Sequence, residues 1–318
     1  MIYNKRKFFI CLKEEYLNND RSFLYNMVKL WDKNTEIEFF KQASKFANPE
    51  QLFYKANGNK YYAYWPKGYE GEKNTLQSRN SLIGNFTEKW SVDLLQEFAK
   101  SKGLYAVQGV VCEEIGLTKQ SAADVALCKT NNINQRAEDI IMIFEVKMSV
   151  VWNWERKSDG TLECIGDFTQ HQGNPGLLRS DSMLKAIGKS INIRVSSFNS
   201  AKIPIIVLGN TPVTSSYYSK VDHLKTSGII QGFWSINPKP RTVDTVKKTD
   251  GFGFLRIDSI EEFYTKLNEL FSEDREFFSG MRTKKQLGKI IEIANKENTF
   301  EKKAEKFLSL IRTEQDDD

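Results

Sequence analysis

Hydrophobic and polar positions alternate in blocks along this chain, and the blocks change period. From Phe86 to Lys100, FTEKWSVDLLQEFAK carries apolar residues at helical spacing and ends at Ser101-Lys102-Gly103, which predicts a helix. YAVQGVVCEE, ADVALCK and IIMIFEVKM follow as short apolar runs rich in β-branched residues, and predict three strands. VVWNWERKSDGTLECIGDF places the turn signal Ser158-Asp159-Gly160 between two strand-like runs and predicts a protruding hairpin. After the polar loop TQHQGNPGLLRS, the stretch DSMLKAIGKSINIRV predicts a helix with Leu184, Ile187 and Ile191 on one face. A buried strand at Pro204 to Gly209, a helix near 212–226 and a strand in GIIQGFWSI complete the series.

Helices alternating with buried strands give an α/β class, a three-layer core with a central mixed β-sheet flanked by helices. Residues 1–75 are helical and aromatic, with Leu24, Val28, Leu30 and Trp31 at irregular helical spacing. They are expected as an accessory region, changing at Asn57-Gly58 to the Tyr- and Lys-rich KYYAYWPKGY, a loop or short hairpin. The core is expected over 76–240. The tail, 241–318, is expected as further helices: SIEEFYTKLNELF, KQLGKIIEIANK and EKKAEKFLSLIR.

Composition narrows the function classes. The 318 residues are 40% hydrophobic and 27% charged, an ordinary globular balance. No apolar run reaches the roughly 20 residues that span a bilayer, and the N-terminus lacks a signal-peptide pattern, so a cytoplasmic protein without membrane association is expected. Cys11, Cys112, Cys128 and Cys164 form no CxxC pair, so neither a zinc knuckle nor a disulfide scaffold is suggested. With two histidines, His171 and His223, a His-rich metal site has little material. The net charge of +5 is a mild lean toward polyanions.

The chemistry concentrates in IIMIFEVK. On a strand, Ile141, Ile143, Glu145 and Lys147 share one face, so a carboxylate and an amine stand side by side at the end of a buried strand, where charge is costly unless paired or used. Asp124, in SAADVALC on the preceding strand, can approach Glu145 if the two strands pair. Two converging carboxylates suit a hard divalent ion such as Mg²⁺. Lys147 beside them could orient a water and offset charge on a phosphate. The plain alternative is a structural salt bridge.

Asp124 followed on the next strand by Glu145-Val146-Lys147 resembles the PD-(D/E)XK nuclease superfamily, to which many type II restriction endonucleases belong. The residue before the aspartate is Ala123 where the family often has proline. The resemblance spans roughly residues 84–210 and implies a restriction-endonuclease-like core, one or two Mg²⁺ ions per active site, and hydrolysis of double-stranded DNA to 5′-phosphate and 3′-hydroxyl ends. It also implies a sequence-specific homodimer, with the helical tail as an interface and a cognate DNA methyltransferase as genetic partner. A nonspecific or repair and defence DNase of the same fold, and a catalytically silent DNA-binding module, are the alternatives.

Many members add a glutamate from a helix before the first core strand, and Glu88 is the candidate here. NFTE also fits a capping box, with Asn85 as N-cap. Lys185 and Lys189 share a helix face at i, i+4 and, with Arg179, are candidates for DNA phosphate. The resemblance makes Lys185 a possible supporting residue. Asn153, Arg156 and Lys157, beside Trp152 and Trp154 on the hairpin, and His171, Gln172 and Asn174 in the next loop, are candidate DNA contacts. The tryptophans could equally be core, as could the aromatics of KYYAYWPKGY.

Overall fold

A computed structural model describes residues 29–313, except 57, 59, 72–74 and 281. Leu24, Val28 and Cys11 lie outside the described residues. Two compact units divide the chain, one ending at Arg275 and one beginning at Glu276.

The first unit is built on a six-stranded mixed sheet. The helices before it are α1 (Lys33–Ala43) and α2 (Pro49–Leu52), followed by the hairpin β1 (Tyr54–Ala56) and β2 (Lys60–Tyr62), then α3 (Gln77–Ser101). β3 (Tyr105–Val110), β4 (Ala123–Cys128) and β5 (Ile140–Lys147) pair antiparallel in sequence order. β6 (Asn153–Arg156) and β7 (Leu162–Gly166) form the predicted hairpin. α4 (Ser180–Ser196), β8 (Ile205–Gly209), α5 (Tyr218–Thr226), β9 (Gly232–Ser235), β10 (Phe254–Arg256) and α6 (Ile260–Phe271) follow. β5, β8, β9 and β10 are parallel, and the order across the sheet is β10-β9-β8-β5-β4-β3.

Period-two alternation sorts the strand residues between two layers. Phe144 and Val146 of β5, with Ile206 and Leu208 of β8, join Leu94, Leu95 and Phe98 of α3 and Phe263 and Leu267 of α6 in one core. Ile143 and Ile205 face the other way and pack with Ile193 of α4, while Val207 packs with Met183, Ala186 and Val221. The sheet is thus covered on both faces, and its central strands read as continuous apolar runs for that reason. No helix among the described residues is long and apolar enough to cross a membrane.

A second, wholly antiparallel sheet has the order β1-β2-β6-β7. At the tip of β6–β7 the Asp159 carboxylate accepts from the Thr161 amide and hydroxyl, and Gly160 supplies a left-handed φ of 88°.

Three boundaries differ from the sequence expectation. α3 starts at Gln77 rather than Phe86, because Arg79 holds its first turn in place: the guanidinium donates to the Ala63 and Leu52 carbonyls and lies over the rings of Tyr54 and Tyr64. The region up to 75 is no separate piece from Trp31 onward, since Trp31, Phe39, Phe40, Leu52 and Phe53 are buried in the core shared with β5. The core also runs past 240, because β10 adds an edge strand and α6 covers the sheet, with the Tyr264 hydroxyl donating to the Leu94 carbonyl at 3.3 Å.

In the second unit, α7 (Lys284–Ala294) and α8 (Phe300–Thr313) form a helical pair. Thr283 and Gln286 close a capping box at the start of α7, Phe278 meets Phe307 edge-on at 5.5 Å, and the Arg282 guanidinium donates to the Ile311 carbonyl.

Candidate active site

Register brings the candidate chemistry together. β4 and β5 pair with Val125 opposite Phe144, so Asp124 falls beside the Glu145–Val146 end of β5. There Asp124 Oδ2 accepts the Val146 backbone N–H at 2.7 Å, which fixes its carboxylate against the partner strand. On the other side of β4 the ladder skips from Gln108 opposite Val125 to Val110 opposite Ala123. The residue between, Gly109, has φ of 68° and sits opposite Asp124, with the register unchanged on either side.

Beyond Lys147 the chain is held by Asn210, fully buried after β8, whose amide donates to the Ser149 carbonyl at 2.7 Å and whose carbonyl accepts the Ser149 N–H at 3.2 Å. The loop before α4 lies against the same strand end. Gly176, with φ of 54°, comes so close that a Cβ there would sit 3.2 Å from the Lys147 carbonyl oxygen and 2.9 Å from Thr211 Oγ1.

Four charged groups meet at this strand end. Lys147 Nζ lies 2.6 Å from Glu145 Oε1 and 3.5 Å from Asp124 Oδ2, and also donates to the Val146 carbonyl at 3.1 Å. Lys189 Nζ, from α4, lies 2.9 Å from Asp124 Oδ1 and 2.6 Å from Glu145 Oε2. Each ammonium spans both carboxylates, and between them they engage all four carboxylate oxygens. Burial pushes the Glu145 carboxyl above its usual range and the Asp124 charge adds to this, while both lysines pull it down. Burial also works against the charged form of Lys189, but the two carboxylates outweigh it and leave its pKa above the usual value.

The donor set fits a hard divalent cation. Two carboxylates converge on one point, and Mg²⁺ is commonly held by one or two carboxylates with water and substrate phosphate completing its shell; here both carboxylates are engaged by the two ammonium groups. Among the described residues there is no cluster of three or more His, Cys, Asp or Glu that could hold a metal, so Glu88 is not brought in as a third ligand. Its carboxylate accepts from Gln108 Nε2 at 2.9 Å. Burial raises its pKa, and the negative charge of Asp124 raises it further. Glu88 is a neighbour of the site. Nor is it part of a cap, because α3 begins at Gln77 and Asn85 lies inside the helix.

Lys189 was expected on DNA phosphate and Lys185 as the supporting residue; the structure puts Lys189 on the carboxylates and leaves Lys185 exposed. One helical turn, about 5.4 Å of rise, separates them. The buried stripe of α4 is Met183, Ala186, Ser190 and Ile193, whereas Leu184 and Ile191 are 61% and 39% exposed. The face against the sheet is partly lined by small residues. Ser190 satisfies its hydroxyl on the Ala186 carbonyl.

Most candidate DNA contacts are taken up in structure. Asn153 is buried and accepts the Tyr64 N–H. Trp152 and Trp154 are core, and His171 is buried and stacked on Tyr64 at 3.9 Å. Gln172 donates to the Pro66 and Tyr69 carbonyls. Lys157 pairs with Glu155 and Glu163, and the Arg179 guanidinium with Asp181. Arg156 is half-buried, and Asn174 is exposed. In KYYAYWPKGY, Trp65 is buried, stacked with Tyr54 and Tyr69, so packing accounts for that segment too.

One constellation had no signal in the sequence pattern. Glu36 of α1 is fully buried and accepts four N–H donors: the Val151 amide at 2.6 Å, Trp154 Nε1 at 2.8 Å, Trp31 Nε1 at 3.2 Å and the Trp152 amide at 3.3 Å. It clamps the segment that leaves β5 toward β6. The described cysteines, Cys112, Cys128 and Cys164, are free thiols, and burial pushes Cys128 up to about 12.

No family model matches this chain, and no curated protein or solved structure does so.

Proposed function

We propose that this chain is a Mg²⁺-dependent endonuclease of double-stranded DNA, with the active site of the PD-(D/E)XK superfamily and the organisation of a type II restriction endonuclease. The observation that carries the reading is the convergence of Asp124, Glu145 and Lys147 from two adjacent antiparallel strands. Asp124 and Glu145 are the residues that would hold the metal, which when bound supplies positive charge to the phosphate under attack.

The remaining roles belong to the chain itself. Asn210 and the Val146 N–H hold the strand end and the Asp124 carboxylate in place, which is the positioning that phosphoryl chemistry depends on. Lys147 Nζ, poised on Glu145, can donate to a non-bridging phosphate oxygen and stabilise the charge that develops there. Water adds its oxygen to phosphorus as the bond to the 3′ oxygen breaks, and that oxygen leaves as a hydroxyl after taking up a proton. The 5′-phosphate stays on the other fragment.

Cutting both strands at a palindrome calls for a two-fold dimer. A second copy is the expected partner, and an exposed apolar stripe on and just after α4, formed by Leu184, Ile191, Val195 and Phe198, supports it. A DNase without sequence preference is the second reading. It is favoured by the burial of Asn153 and His171, which removes two of the candidate base readers.

The test is incubation of purified protein with unmethylated phage DNA and Mg²⁺, beside a Lys147→Ala control. Discrete fragments absent from the control are expected. A smear assigns the nonspecific DNase, and uncut DNA in both lanes over a range of Mg²⁺ concentrations overturns the nuclease reading.

A further inference from the structure

The two ammonium groups of the site are not equivalent. Lys147 sits on the strand that carries Glu145 and has a third anchor in the Val146 carbonyl. Every hydrogen bond and ion pair of Lys189 goes to the two carboxylates. It reaches them from a different element, with only 15% of its side chain exposed.

Charge decides what this asymmetry does. With both lysines in place, the two carboxylates and two ammoniums sum to zero, and no carboxylate oxygen is without a cationic partner. Adding a divalent ion to that half-buried cluster would leave it strongly positive, which is costly at low dielectric. If Lys189 withdraws while the ion enters and a phosphodiester binds, the site returns to zero, with Lys147 still in place. Withdrawal also returns rotamer freedom to a long side chain.

We propose that Lys189 is the resident counter-cation of the Asp124–Glu145 pair, excluding a divalent metal from the site until substrate phosphate makes its displacement neutral. This rests on the reading of Asp124 and Glu145 as metal ligands. Lys189 is then a gating residue: it couples metal entry to substrate, and it keeps the buried carboxylates satisfied in the resting protein.

The test is a titration of Mn²⁺ into the full-length protein without DNA, with free Mn²⁺ followed by electron paramagnetic resonance. Wild type, Lys189→Met, Lys189→Gln and the double variant Lys189→Met with Asp124→Asn are compared, each with a thermal melt. Lys189→Gln retains a hydrogen-bond donor and guards against a folding defect in the methionine variant. Both single variants are expected to bind Mn²⁺ at least ten-fold more tightly than wild type, and the double variant to lose that gain. Mn²⁺ is expected to raise the melting temperature of Lys189→Met more than that of wild type. Binding equal to or weaker than wild type in both folded single variants overturns the gating role. In that case Mn²⁺-dependent plasmid cleavage by wild type, lost in Asp124→Asn, leaves the metal site standing. Absence of Mn²⁺ binding in every variant together with absence of cleavage removes the nuclease reading, and the gate with it.

Discussion

Glu36 offers the sharpest test of how the strand end is held. Its carboxyl is fully buried, and burial pushes its pKa from 4.5 up to about 7, against the pull of hydrogen bonds from Trp154, Val151, Trp31 and Trp152. A carboxyl with a folded-state pKa above its unfolded value retains a proton in the folded protein that the unfolded chain has already lost. The associated stability is fully present below about pH 4.5 and is lost as pH rises through about 7. A shift of this size is worth about 3 kcal/mol. Glu36→Gln cannot titrate, so urea denaturation followed by tryptophan fluorescence should show wild type losing stability relative to the variant between pH 5 and pH 8, by about 2–3 kcal/mol. The variant itself is destabilised at pH 5, because its amide NH₂ faces donors where the carboxyl offered acceptors, and each buried N–H left unpaired costs about 1–3 kcal/mol. A stability difference that stays flat from pH 5 to pH 8 would show that Glu36 is ionised throughout, with its four N–H donors outweighing burial.

Other perturbations separate structure from chemistry. Gly176→Ala forces a Cβ against Thr211 and the Lys147 carbonyl at a left-handed φ, and should cost about 1–2 kcal/mol in thermal or urea unfolding with a fall in DNA cleavage; full stability would mean the loop is free to move. Val195→Asp places a charge in the exposed stripe of α4, where Val195 is 69% exposed, and should convert a dimer to a monomer in sedimentation velocity while removing the concentration dependence of the melting temperature; a persistent dimer removes the stripe from the interface. Asp124→Asn combined with Lys189→Met deletes one anion and one cation together, and should stay within about 2 kcal/mol of wild type in unfolding, since neutral replacement of buried ion pairs is often tolerated, while DNA cleavage falls at least 100-fold.

What could be read from the sequence followed the strength of local physics. IIMIFEVK declared itself a strand because five apolar residues in a row are needed where both faces are covered, and Ser158-Asp159-Gly160 declared a turn because only that chemistry closes one so tightly. The first turns of α3 were illegible because they are fixed by Arg79 reaching carbonyls at Leu52 and Ala63, a contact with no periodic trace. The buried face of α4 has little signature in its large apolar residues, because Ala186 and Ser190 line it while Leu184 is exposed. Lys189 and Lys185 have the same spacing relation to the helix pattern, so only the sheet beneath distinguishes them. Glu36 was invisible for the same reason: three of its four donors lie more than a hundred residues downstream.

The arrangement at the end of β5 has to be weighed against a purely structural salt bridge. Buried ion pairs are weak sources of stability, because desolvation consumes most of the attraction and apolar residues of similar volume often serve as well. Glu145 is 5% exposed and sits between Phe144 and Val146 on a strand whose other residues, Lys147 apart, are Ile, Met, Phe and Val. A chain needing only packing there could use another β-branched residue, with no requirement for Lys147 and Lys189 to neutralise it. The surface pair of Lys100 with Glu97 keeps its lysine well exposed and recruits nothing further. At the strand end, by contrast, three elements contribute charge to a single point, Gly109 breaks the ladder opposite Asp124, and Asn210 and the Val146 amide hold positions that packing alone does not ask for. The Val146 amide and the two ammonium groups restrain the carboxylates without adding apolar contact. Such convergence is what a site must do to bind a cation and a phosphate in one geometry, and it is why the reading of β5 as an active strand rests on the cost of its charges rather than on their spacing.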